Sequence, residues 1–273
     1  MEIFGLDFTS VPRPKKAITW LQAHLETGSL YLDAFGALTT FDSFEAFLAH
    51  PGPWLAGMDF PFGQPRKLIE HIGWPTTWAG YVEHISKMSK SEFVDALGAY
   101  RRDRAVGDKQ HLRYTDKLAD SRSPMMLYGV PVGKMFFEGA PRLLRSGASI
   151  LPCHPTADQR IILETYPALM ARRWIGKQGY KNDARQKQTR QQKMARQTIL
   201  QNLLSGSKEH FGFEILVNEL GVESFVEDAS GDQLDALLCA VQAAWAYTQK
   251  DHIFGIPSNC DTLEGWIVDP GLL

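Results

Sequence analysis

Apolar residues fall into short solid runs that end in a carboxylate, and into longer stretches with helical spacing. The clearest solid run is Trp54 to Asp59, in which everything before the terminal acid is apolar or small. Pro61, which has no backbone N–H, and Gly63 stop it at once. IFGLD, ending at Asp7, and RIILE, ending at Glu164, repeat the pattern. Such runs predict strands buried on both faces. Glu2 to Thr9 is thus a first strand, and Ala17 to Leu25 and Leu30 to Leu38 are a second and third, joined by the turn Glu26-Thr27-Gly28-Ser29. Loops this short predict an antiparallel meander. An amphipathic helix, Asp42 to His50, carries Phe44, Phe47 and Leu48 on one face and leads to Trp54–Asp59, a fourth strand parallel to the first. Ile161 to Thr165 is the fifth strand, and Glu264 to Val268 is a closing strand or extended tail.

The remaining periodicity is helical. From Gln64 to about Gly147, apolar residues recur at helical spacing (Leu68, Ile69, Ile72; Phe93, Leu97, Tyr100; Phe136, Leu143, Leu144) between several prolines and glycines. No linker-like stretch flanks this segment, so residues 1–273 are expected to form one domain with a helical insertion at about 64–147. A polar, Gln- and Arg-rich helix is predicted from about Asp183 to Leu204. The best-defined helix is Asp232 to Thr248, with Leu234, Leu237, Leu238, Val241 and Trp245 as its stripe and Ser230 or Asp228 as cap. The order β-β-β-α-β-α-β-α places the chain in the α/β class: a five-stranded mixed sheet flanked by helices.

That order gives the acids a use. A carboxylate at the tip of a buried strand is costly unless it meets a cation or hydrogen-bond donors. Asp7, Asp59 and Glu164 end three strands, and ligands of open α/β sheets bind at the carboxyl ends of strands. Asp235, in the first turn of the last helix, joins them, with Asp232 as substitute or supporting acid. Two hard divalent cations about 4 Å apart need several carboxylates from different elements, and together they drive phosphodiester hydrolysis. Asp7 is central enough to bridge two ions. The plainer reading of each acid alone is a turn residue or a salt bridge, and for Asp232 a first-turn carboxylate complementing the helix dipole.

Charge and composition narrow the field. At 44% hydrophobic and 22% charged, with net charge −2, the chain is an ordinary globular sequence whose overall field neither implies nor repels nucleic acid. Locally it is polar: nine Lys or Arg against one acid between Arg172 and Arg196, and eight acids against one base between Ser205 and Asp235. Within the basic stretch, Lys181, Arg185, Lys187, Arg190, Lys193 and Arg196 are candidate phosphate contacts, without aromatics for base stacking beyond Tyr180. A solvated helix face is the alternative. Arg101-Arg102-Asp103-Arg104 reads as the polar face of a helix, and Arg113 and Arg122 are candidates to orient a phosphate, though nothing in the sequence distinguishes them from surface arginines. Cys153, Cys239 and Cys260 have no CxxC or pairing spacing; with an acidic start and no long apolar run, they predict a cytoplasmic protein with no membrane partner. No HExxH and no GxSxG occurs, so zinc and serine hydrolase chemistry is set aside.

GLDFT, GMDFPFG, ETYPA, GDQLDALLCA and EGWIVDP, in this order from residue 3 to residue 270, resemble domain-of-unknown-function family 429, predicted nucleases of the ribonuclease H-like superfamily. The resemblance implies a ribonuclease H-like five-stranded sheet and metal-binding acids at Asp7, Asp59, Glu164 and Asp235. The expectation is a Mg²⁺- or Mn²⁺-dependent nuclease acting on nucleic acid. The rivals are an actin-like phosphotransferase, disfavoured because no Gly follows the acid in Asp7-Phe8-Thr9-Ser10, and a non-catalytic binding protein whose acids are structural.

Overall fold

The computed structural model describes residues 1–217 and 221–272. The predicted meander forms from β1 (Glu2–Asp7), β2 (Ile18–Glu26) and β3 (Ser29–Leu38), antiparallel in sequence. After helix α1 (Phe41–Leu48), β4 (Trp54–Met58) lies parallel to β1. The insertion follows as five helices: α2 (Arg66–Ile72), α3 (Trp78–Ser86), α4 (Lys90–Arg102), α5 (Tyr114–Leu118) and α6 (Val132–Ser146). The sheet has seven strands rather than five. The two unforeseen members are edge strands: β5 (Ser149–Leu151), parallel to β6 (Arg160–Glu164), and, later in the chain, β7 (Glu214–Val217), parallel to β3. At three and four residues they are too short to show a pattern of their own. The spatial order is β5-β6-β4-β1-β2-β3-β7. The tail adds only a single bridge, Ile267 to Glu164, with the Val268 N–H donating to the Glu164 carbonyl.

Helices α7 (Pro167–Ile175), α8 (Arg190–Phe211), α9 (Glu223–Glu227) and α10 (Asp232–Thr248) complete the chain. α8 starts seven residues later than the predicted Asp183. Thr189 accepts from the Gln192 N–H while the Gln192 side chain accepts from the Thr189 N–H, a reciprocal cap that fixes the start there. α10 matches its prediction, but Gly231 occupies the cap position at φ 74°, and Asp228 reaches in from outside to accept from the Gln233 N–H.

Each face of the sheet carries its own core. α1 and the insertion cover Phe4, Leu6, Ala56, Met58 and Ile162. α7, α8 and α10 cover the other face, where Ile3, Leu55 and Leu163 point. Gly5 and Gly57 are register partners on that second face. A Cβ at Gly5 would lie 2.0 Å from the Ala236 carbonyl oxygen and 2.3 Å from the Ala240 nitrogen; one at Gly57 would lie 2.6 Å from the Cys239 carbonyl oxygen. The paired glycines let the α10 backbone settle directly onto the sheet. Leu234, Leu237, Leu238 and Val241 are fully buried beside this contact, each contributing about 1.5–3 kcal/mol. The start of α10 is thereby anchored above the carboxyl ends of β1 and β4.

Candidate metal centre

Side chains two apart along a strand share a face. Asp7 follows Gly5 by two and Asp59 follows Gly57 by two, so both acids emerge on the α10 side. The Asp59 N–H donates to the Leu6 carbonyl at 3.0 Å, extending the ladder one residue past β4. Asp235, in the first turn of α10, comes down to meet them. Oxygens of Asp7, Asp59 and Asp235 lie within 4.8 Å of one another, and no other group of three or more acid, histidine or cysteine side chains among the described residues is so arranged. Asp235 and Asp7 are buried, and Asp59 is half-buried.

Three carboxylates this close suppress one another's ionisation. Burial raises Asp7 well above the usual carboxylate range; Lys181 opposes the shift, and Asp235 and Asp232 add to it. Burial, then the charge of Asp235, pushes Asp59 up to about 7. Asp235 is also raised, chiefly by burial, although Lys181 and Tyr180 hold it. The Tyr180 hydroxyl donates to Asp235 Oδ1 at 2.5 Å, and the Lys181 ammonium contacts Oδ2. Such a cluster favours either protons or a cation. Its donors are all hard oxygens on separate elements, which suits a divalent cation of the magnesium or manganese kind.

Glu164 is placed otherwise. In the parallel register Leu6, Met58 and Glu164 form one row, so Glu164 points to the insertion face. There Arg113 donates to it twice, at 2.5 and 2.8 Å, and the Phe62 N–H donates at 2.9 Å. Arg113, itself 1% exposed, also donates to both oxygens of Asp116. The residue one step on, Thr165, continues the ladder, its N–H donating to the Met58 carbonyl at 3.0 Å. Asp232 lies at the edge of the cluster, where Lys16 holds it at 2.7 Å while also holding Asp183 at 2.9 Å.

The six basic candidates separate as well. Lys181 turns inward to Asp235, and Arg196 is buried, donating to the carbonyls of Val226 and Tyr180. That geometry corrects the expectation of a phosphate contact at Arg196: its guanidinium is inside. Lys193 pairs with Glu227, while Arg185, Lys187 and Arg190 stay exposed. Arg101, read as surface, is also buried. Sequence reasoning missed Lys16, Tyr180 and Arg113 as partners of the acids. Their only signal was a buried carboxylate's need for donors, which names no residue.

The sequence model of one family, described as Protein of unknown function (DUF429), matches residues 5–259. No curated protein and no solved structure gives a significant match. No helix among the described residues is long and apolar enough to cross a membrane.

Proposed function

The chain belongs to the DUF429 family, and from that premise we propose a divalent-metal-dependent nuclease on a ribonuclease H-like frame. Family membership prescribes no reaction. The observation that carries the proposal is the convergence of Asp7, Asp59 and Asp235 within 4.8 Å at the carboxyl edge of the sheet. An antiparallel meander followed by parallel strands, realised by β1, β2, β3, β4 and β6, supports the frame.

Asp7, Asp59 and Asp235 would hold the ion, Mg²⁺ or Mn²⁺. When bound, such an ion supplies positive charge to a phosphoryl oxygen and acidifies its water. The protein's own groups do the positioning. Tyr180 orients Asp235, Lys181 neutralises its second oxygen where an ion would compete, and Lys16 holds Asp232 at the edge of the cluster. Burial of two of the three acids keeps the donor set short of water, which strengthens every charge interaction there. Glu164, held by Arg113, stands in the wall of the cavity that Asp59 and Asp235 also line.

Single- and double-stranded DNA and RNA, each incubated with Mn²⁺ beside the Asp7→Asn protein, test this reading. Cleavage by the parent and not by the variant is expected. Equal cleavage by both would mark a contaminant and end the proposal.

A further inference from the structure

Three cavities meet along the acids. One of about 200 Å³ lies against Asp59, Glu164 and Asp235, walled by Val132, Met135, Tyr166 and Tyr180. Through Ser121, Arg122, Tyr166 and Ala168, which line both, it continues into a cavity of about 440 Å³ between the 120–122 loop and the stretch from α7 to Lys181. On its other side it shares Asp59, Val130, Met135 and Lys181 with a cavity of about 400 Å³ that reaches Asp7, Ser10 and Lys16.

The second cavity is cationic: Arg122, Arg172, Lys177 and Lys181 line it against the single acid Asp120. Arg172 and Lys177 are partly committed. Arg172 donates to the carbonyls of Ala119 and Asp120 and lies 5.5 Å over the Tyr166 ring, and Lys177 pairs with Asp120. Arg122 is exposed, its one hydrogen bond among the described residues is to the Met126 sulfur at 3.7 Å, and no carboxylate among them reaches it. A free guanidinium at the mouth of an acid-lined cavity is placed to take an anion that the acids alone would repel. No residue of α8 lines any of the three cavities.

We infer that the substrate is a single nucleic-acid strand whose backbone runs from the carboxylates out through the Arg122 trough, with Tyr166 as the aromatic surface along it. This inference rests on the nuclease reading. The inner cavity is below the roughly 300–1,000 Å³ of ordinary ligand sites. At that size it takes a phosphate with part of its sugar, and the cavities of about 440 and 400 Å³ that continue from it leave a path for one strand. Phosphate selects the trough by charge, and a base finds in Tyr166 the stacking surface that α8 lacks.

Fluorescence anisotropy of labelled 12-nucleotide DNA and RNA strands, with Ca²⁺ in place of Mn²⁺ to prevent turnover, tests the trough. Arg122→Ala is expected to weaken binding about tenfold. It should also flatten the slope of log K against log salt by about 0.7, one single-strand phosphate contact. A pre-formed duplex should bind more weakly than either strand. An unchanged salt slope in Arg122→Ala, tighter binding of duplex, or a larger loss in Arg190→Ala would overturn the trough. A Mn²⁺ thermal shift present in the parent and absent in Asp7→Asn, together with no strand binding, would leave the metal centre standing and remove only the trough. Strand binding that depends on Arg122 without any Mn²⁺ shift would remove the metal centre and keep the trough.

Discussion

Arg113→Met isolates what Glu164 does. Arg113 makes charge-assisted bonds of 2.5 and 2.8 Å to Glu164 and of 2.8 and 3.0 Å to Asp116, and all three side chains are at most 3% exposed. Methionine fills much of the volume but leaves two buried carboxylates without a cation. Removing one partner of a buried ion pair costs about 3–5 kcal/mol, because the stranded charge keeps its desolvation penalty. At two to four degrees per kcal/mol, that is a fall in Tm of roughly 6–20 °C. Thermal unfolding in EDTA, followed by circular dichroism, measures it. Glu164→Gln should lose less, since an amide still accepts from Arg113, and the two changes together should cost less than their sum. Mn²⁺ should still raise the Tm of Glu164→Gln, because both Glu164 oxygens are already held by Arg113 and Glu164 is outside the triad of Asp7, Asp59 and Asp235. A cost below about 1 kcal/mol for Arg113→Met would refute the ion-pair reasoning. So would a Glu164→Gln protein with intact metal-free stability and no Mn²⁺ response, which would make Glu164 a ligand.

Asp59 gives a pH dependence with a definite sign. Its folded pKa of about 7 is above the ordinary 3.8, so folding takes up a proton between them. The associated stability is complete below pH 4 and lost as pH rises through 7, at most roughly 4 kcal/mol. Metal-free denaturation midpoints should therefore fall from pH 5.5 to pH 8 more steeply than in Asp59→Asn, while Mn²⁺ stabilises more at pH 8; the reverse order in either comparison counts against a shared acid cluster. Gly5→Ala drives a methyl to 2.0 Å from the Ala236 carbonyl oxygen, so it should cost about 3 kcal/mol and abolish the Mn²⁺ shift by lifting α10. An unaltered shift in calorimetry would show that Asp235 does not depend on that contact. Lys181→Met removes the ammonium bonded to Asp235: metal-free Tm should drop, and Mn²⁺ should recover more of it than in the parent. Weaker Mn²⁺ stabilisation than in the parent would mean the lysine assists the ion rather than competing with it.

Several features could be read directly from residue order. Solid apolar runs with a terminal acid marked β1, β4 and β6, and the stripe of Leu234, Leu237, Leu238 and Val241 marked α10 to the residue. Thr189 and Gln192 held the start of α8 in plain view as a capping pair. Arg113 and Arg196 were unreadable, because a buried arginine and a surface one have the same neighbours in sequence when their partners are distant in the chain.

The chain alone determined that acids would collect at one edge of a sheet, since burial forces uniformly apolar runs to be central strands and turn residues force the acids to their ends. Which acids converge on one another was decided only by the fold. A strand buried on both faces has no alternation, so nothing in its composition shows which way its last side chain points. Register with the paired glycines puts Asp7 and Asp59 under α10 and turns Glu164 to the opposite face, a difference of one residue in parity that only hydrogen-bonded neighbours can set.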